Sequence, residues 1–270
     1  MTITLVAGQS GGASGPISTP PTKAFAGNVT AGNIIIVLGM RSDSLGGSFA
    51  ASDCTKTAGT ATIGAITLES QLSASNLLSG VWSCQVTGSG SCTMGLTSPS
   101  GKYTNIAIAE FNSTLGAISF LAATNKTGSG ASGAPATASA TSTISNSIFI
   151  GVVTTDFSGT HTVDTGFTQI YEEENNASLV TGNAEYKIVG AVSSTVSWLA
   201  PTTTPWTAAS AVYQEPSGGA GSASISPSAS ASPSSSVSKS VSPSASVSPS
   251  SSVSKSVSPS ASKSPSASKS

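Results

Sequence analysis

Between residues 2 and 214 the chain alternates turn-rich clusters of Gly, Ser, Thr, Asn and Pro with short apolar or two-residue-periodic runs. Successive side chains of a β-strand point to opposite faces, so a period of two is the signature of a half-buried strand. In Val81-Trp82-Ser83-Cys84-Gln85-Val86-Thr87 the even positions are apolar, which puts Trp82, Cys84 and Val86 on one face. In Glu185-Tyr186-Lys187-Ile188 the alternation turns Tyr186 and Ile188 inward and leaves Glu185 and Lys187 to water, and Val196 and Trp198 share a face opposite Ser197. The runs Ile34 to Leu38 and Ile148 to Val153 are instead apolar almost throughout, as expected of central strands covered on both faces. A second layer or a partner subunit has to cover them.

These runs predict strands near residues 2–7, 33–40, 61–69, 79–87, 91–97, 103–111, 116–123, 147–154, 166–173, 183–189, 194–199 and 206–214. No interval between them holds an amphipathic helix. The spacing is that of an antiparallel β-sandwich. The Gly-, Ala-, Ser- and Thr-rich stretch from Gly128 to Ser145 reads as a long surface connection, because the flanking strands carry too few large apolar residues for two independent cores. The run Glu172-Glu173-Glu174-Asn175-Asn176 reads as a loop after a strand ending at Tyr171.

The pattern changes near residue 217. Every even position from Ser222 to Ser270 is serine, and the sixteen residues from Pro233 to Ser248 recur from Pro249 to Ser264 with Val247 replaced by Lys263. Prolines recur through this segment and each deletes a ladder donor, while the lack of aromatics leaves nothing to offset chain entropy. The chain is therefore expected to divide into a head at 1–216 and a disordered, polyproline-like stalk at 217–270. As a coil the serine ladder from Ser222 to Ser270 spans about 40 Å, and as a full polyproline helix about 150 Å.

Composition narrows the function classes. Residues 1–221 carry six Lys plus Arg against eleven Asp plus Glu, and the remainder carries four lysines and no acid. So low a density of basic charge is unlike the clustered stripe that duplex binding requires, so nucleic acid is not an expected partner. No apolar run approaches the length of a membrane span. The first residues, Met1-Thr2-Ile3-Thr4-Leu5, lack the basic and long apolar regions of a secretory signal peptide; if this is the native start, release by lysis or by assembly into a virus particle is expected, and if a signal has been removed, a secreted origin remains open.

One group of segments carries a family resemblance. Val29-Thr30-Ala31-Gly32-Asn33 leading into Ile34 to Leu38, the strand ending in Glu110-Phe111-Asn112, then Thr141 to Val153 and Ala208 to Tyr213 together resemble the jelly-roll β-sandwich modules of bacterial surface proteins and phage structural proteins. The resemblance covers residues 2 to 215 and implies a binding or structural element. It transfers no site residue.

Candidate chemistry is sparse. His161 is the only histidine, but no G-x-S-x-G elbow accompanies it, and Thr160-His161-Thr162 reads as part of a surface hairpin. Glu110 and Glu185, the carboxylates a glycoside hydrolase would need, alternate outward as solvated strand-face charges. Glu172, Glu174 and Asn175 offer hard oxygen ligands for calcium, against which stands the missing spaced EF-hand pattern. Jelly-roll sandwiches bind sugars on aromatic platforms, and Trp206 and Tyr171 are the edge aromatics that such a platform would use; Trp82 and Trp198 read as core. Cys84 and Cys92 flank Gly88-Ser89-Gly90 and suit a hairpin disulfide, the alternative being small buried thiols. No cofactor other than calcium is implied. The expectation is a non-enzymatic structural or display protein of a virion, partnered by itself or by other particle or surface proteins. The alternative is a glycan-binding adhesin at the cell surface with a glycosylated stalk.

Overall fold

A computed structural model describes residues 3–216 except 17, 43–46, 122–123, 143–145, 157–159, 174–179 and 199–203. The serine-rich stalk, 217–270, lies outside the described residues. Met1–Ser222 forms one compact unit.

The described part is antiparallel β throughout, apart from one 3-10 turn at Ala51–Asp53. Its first half supplies β1 (Ile3–Gly15), β2 (Thr22–Ala24), β3 (Ile34–Ser42), β4 (Cys54–Ala58), β5 (Thr62–Ile63), β6 (Thr67–Ala74), β7 (Leu77–Gly88), β8 (Thr93–Leu96) and β9 (Thr104–Ser113). The second half supplies β10 (Ser119–Phe120), β11 (Lys126–Gly130), β12 (Ala140–Ser142), β13 (Ser147–Thr155), β14 (Thr168–Glu173), β15 (Thr181–Val189), β16 (Val192–Ser194) and β17 (Trp206–Gln214). Two large sheets result. One has the order β1-β9-β3-β7-β5 with β6 also on β7, and the other β10-β17-β13-β15-β14 with β11 also on β17. The expected all-β antiparallel sandwich is thus what forms, and the chain finishes one large sheet before it starts the other.

The sandwich has three apolar layers. Between the large sheets lie Ile34, Ile36, Leu38, Met40, Ala109 and Phe111 from the first and Ile148, Ile150, Val152, Ala211 and Tyr213 from the second. The outer face of the first sheet, carrying Ile35, Val37, Trp82, Cys84, Val86 and Ile108, is roofed by the small sheet β2-β8-β4. The outer face of the second, carrying Phe149, Val153, Ala208 and Val212, is roofed by β12-β16 and by Phe167, Val196 and Trp198. The unbroken apolar runs of β3 and β13 follow from this: each lies between two layers. Full burial of one such aliphatic side chain is worth about 1.5–3 kcal/mol.

Local chemistry fixes the registers. Ser75 and Asn76 both have positive φ, 52° and 64°, and join β6 to β7 with Ala74 opposite Leu77. This is the two-residue turn whose twist matches a hairpin. The stretch from Gly128 to Ser145, expected as a surface connection, instead contributes β11 to the second sheet and β12 to its roof. Small residues make this pairing close: a Cβ on Gly128 would lie 1.9 Å from the Ala136 carbonyl oxygen.

Candidate functional site

The polar side chains that chemistry would recruit lie inside the head, beneath the two roofs. His161, expected at the surface, is fully buried. Its Nε2 lies 3.0 Å from Thr155 Oγ1, which is 2.9 Å from Thr181 Oγ1. The His161 backbone N–H donates to Glu172 Oε1, and its carbonyl accepts from Asn183 Nδ2 at 3.1 Å, while Trp198 Nε1 donates to Asn183 Oδ1 at 3.2 Å. The three bonds made by His161 tie its segment to strands β13, β14 and β15. Burial lowers the imidazole pKa to about 4, so the ring is neutral at physiological pH.

Glu185, expected in water, is also fully buried on β15. Its Oε2 accepts the Asp164 backbone N–H at 3.3 Å, whereas Oε1 has no hydrogen-bond partner among the described residues. Burial, and secondarily the Asp164 charge, raises its pKa to about 9. Asp164 in turn accepts from Ser197 Oγ. The set holds a neutral base and a neutral acid beside Asp164, yet each is spent on the backbone or hydroxyl of a neighbouring segment.

Glu110 makes the corresponding tie in the first half. It too is fully buried, not solvated, and its Oε1 accepts from the Thr30 N–H at 2.8 Å and from Asn33 Nδ2 at 2.7 Å. The segment Val29 to Asn33 and the strand end Glu110 to Asn112, read separately from the sequence, are therefore one feature: a turn clamped onto β9. Strand alternation gave the correct face for both glutamates, away from the central core. What it did not contain was the roof over that face.

The three cysteines are free thiols buried in the core under the first roof, so the Cys84–Cys92 disulfide is not formed. Cys92 Sγ sits 3.7 Å from Met94 Sδ, and desolvation raises all three pKa values, that of Cys84 to about 12. Such thiols are inert small hydrophobes rather than nucleophiles.

Of the expected sugar platform, Trp206 is internal and Tyr171 half-buried. Trp206 is only 7% exposed, with its ring against Gly130 and Nε1 donating to the Ser132 carbonyl at 3.3 Å. Tyr171 lies flat over Gly12 of β1, where an added Cβ would come within 2.2 Å of the ring, and its hydroxyl donates to Glu173 Oε2. Of the calcium candidates, Glu172 belongs to strand β14 and is used by the His161 N–H, while Glu174 and Asn175 lie outside the described residues. Among the described residues no group of three or more His, Cys, Asp and Glu is arranged around a metal position.

One open cleft does reach the surface. It has a volume of about 260 Å³ and lies where β3, the β6–β7 turn and β9 meet the end of β13, lined by Ser42, Asn76, Leu77, Lys102, Tyr103 and Asp156. No residue in this set was singled out by pattern, since Tyr103 alone breaks the polar run Ser98 to Thr104. No protein-family model, curated protein or solved structure matches this chain. Among the described residues no helix is long and apolar enough to cross a membrane. The buried histidine and glutamates fasten loops to sheets, and the cleft presents one aromatic with an amide, an amine and a carboxyl.

Proposed function

We propose that this chain is a non-enzymatic structural or display protein, in which the sandwich is the part held in a larger particle or surface layer and the serine-rich segment projects from it. The observation that carries the reading is the use made of His161, Glu110 and Glu185: all three are fully buried and tie loops to strands. A head that spends its titratable groups on rigidity suits a part that must persist outside the cell better than one that turns over substrate. The hydrophilic repeat adds reach without adding a fold. Its partners are copies of itself or other proteins of the particle or surface. An antibody raised against the repeat tests this by immunogold microscopy of the organism that makes the protein. Label at the periphery of particles or cells is expected; label confined to the soluble cytoplasm overturns the proposal.

A second reading, a glycan-binding surface protein, is favoured by the Tyr103 cleft. An aromatic ring beside Asn76, Lys102 and Asp156 combines a stacking face with hydrogen-bond donors and acceptors, the chemistry that sugars require. Glycan-array binding that Tyr103→Ala abolishes, with the melting midpoint unchanged, would establish it. No bound glycan at millimolar concentration would remove it.

A further inference from the structure

We infer that the head is a fused dimer: two copies of one β-module face each other across a pseudo-two-fold axis, and the seam between them is a surface that fits a second copy of this chain. The inference stands independently of the proposed function. It begins with topology. In the first half β9 lies between β1 and β3, β7 follows β3, and β6 follows β7; in the second β17 lies between β10–β11 and β13, β15 follows β13, and β14 follows β15. Each roof obeys the same rule, since β2 pairs with β8 and β12 pairs with β16, the members of each pair preceding the corresponding long strands.

Register makes the match residue by residue. Setting Ile34 on Ile148 puts Gly32 on Asn146, and both have positive φ, 93° and 68°. Ile34 pairs with Phe111 and Gln85, and Ile148 with Tyr213 and Ile188. Three residues further on, Val37 faces Trp82 and Gly151 faces Glu185. At that level both halves carry a β-bulge. Leu68 pairs with Trp82 and Ser70 with Val81, leaving Glu69 as the extra residue; Gln169 pairs with Glu185 and Tyr171 with Ala184, leaving Ile170. Bulges are specific irregularities, and their coincidence is not a consequence of two sheets merely packing.

The contacts across the seam then satisfy the condition that a two-fold imposes, that if i touches j, the copy of j touches the copy of i. Tyr171 of β14 lies on Gly12 of β1. The counterpart of Tyr171 is Ser70, and the counterpart of Gly12, which pairs with Ala107, is Thr127, which pairs with Ala209. Ser70 Oγ donates to the carbonyl of Lys126, the neighbour of Thr127, at 3.4 Å. Likewise Ile34, Ile36, Leu38, Ala107, Ala109 and Phe111 all face the central core, as do their counterparts Ile148, Ile150, Val152, Ala209, Ala211 and Tyr213. No strand ladder crosses the seam among the described residues; it is held by side chains. The halves differ chiefly by β4 and β5, which have no counterpart in the second half.

Only Thr114 to Ile118 connect the halves, between Ser113 of β9 and Ser119 of β10. Deleting Leu115, Gly116 and Ala117 from the full chain leaves the halves too close along the chain to face each other. The seam is then made between two chains. The expected result is a twofold rise in the mass of the particle relative to the parent, by light scattering, with the strand signal in circular dichroism retained. A folded deletion variant of parental mass overturns the inference. A protease site inserted between Leu115 and Gly116 in the full chain keeps the test decisive if the deletion variant fails to fold. The cut fragments are expected to co-elute as one particle and to reassemble after removal from guanidinium; fragments that separate in buffer overturn the inference.

Discussion

At pH 7 Glu185 is a carboxylic acid held in a dry layer, and this sets how stability responds to pH. Burial raises its pKa from 4.5 to about 9, so the folded chain keeps a proton that the unfolded chain releases above pH 4.5. Stability is therefore lost as pH rises through the window from 4.5 to 9, at up to about 1.4 kcal/mol per pH unit. His161 acts in the opposite direction. Its pKa falls from 6.5 to about 4 through burial, so the unfolded chain gains a proton that the folded chain refuses, and stability is lost as pH falls from 6.5 toward 4. Between pH 4.5 and 6.5 the two slopes oppose each other. Melting midpoints scanned from pH 4 to 9 are expected to show a plateau in that interval and an alkaline decline of about 5 °C or more from pH 7 to 9. Glu185→Gln keeps an acceptor for the Asp164 N–H and removes the titration, so the alkaline decline should flatten. His161→Asn should flatten the acid limb while lowering the midpoint at pH 7, because the bond to Thr155 is lost. An alkaline decline of the same steepness in Glu185→Gln would exclude Glu185 as its source.

Elements pack here by close approach as much as by side-chain volume. Gly39 of β3 and Gly80 of β7 are cross-strand partners, and the rings of Trp82 and Phe49 occupy the space beside them. An added Cβ at Gly80 would meet Phe49 Cδ2 at 2.7 Å, so Gly80→Ala is expected to cost about 1–3 kcal/mol by overpacking, read as a lower urea midpoint. Glu110→Ala belongs to the same scale. It leaves the Thr30 N–H and Asn33 amide without their acceptor, at a cost of about 2 kcal/mol or more, and hydrogen exchange at Thr30 should accelerate. At this scale much of the fold was legible: the alternation in β7 put Trp82, Cys84 and Val86 on one face, and the unbroken runs marked β3 and β13 as doubly covered. The failures share a cause. Period two assigns a side chain to a face, but whether that face is wet depends on elements such as β2, β8, β12 and β16, three or four residues long and without periodicity of their own. Glu110 and Glu185 sit on strands adjacent to β3 and β13, so the layer inferred for the apolar runs also covers them. That adjacency, β9 beside β3 and β15 beside β13, is read from the ladders and not from the sequence. The internal repeat was not legible there either, because it survives in registers and bulges, while its positions have drifted from Trp82 to Glu185 and from Glu110 to Val212.

For the whole molecule the consequence of a shared central core is cooperativity. Each half has its own ladders and its own roof, which by itself would allow the halves to unfold in turn. The seam opposes this, since Ile34, Leu38 and Phe111 on one side lose their packing partners when Ile150, Val152 and Tyr213 on the other leave. A polar node reinforces it: Ser79 Oγ lies 2.8 Å from Thr154 Oγ1 and 2.9 Å from the Thr207 carbonyl, and Thr154 Oγ1 donates to the Leu78 carbonyl at 2.8 Å. Buried polar groups left unpaired cost more than their bonds gain, so separation of the halves is penalised unless water enters at once. The sequence supplies a probe for each half, because all three cysteines lie in the first and Trp198 and Trp206 lie in the second. In a Trp82→Phe background, a disulfide reagent should find no reactive thiol in the native head, and three thiols should appear with the same guanidinium midpoint as the tryptophan emission shift. Ser79→Ala should lower both midpoints together. Two separated transitions in the parent would mean that the halves behave as independent domains, with the central core adding too little to couple them.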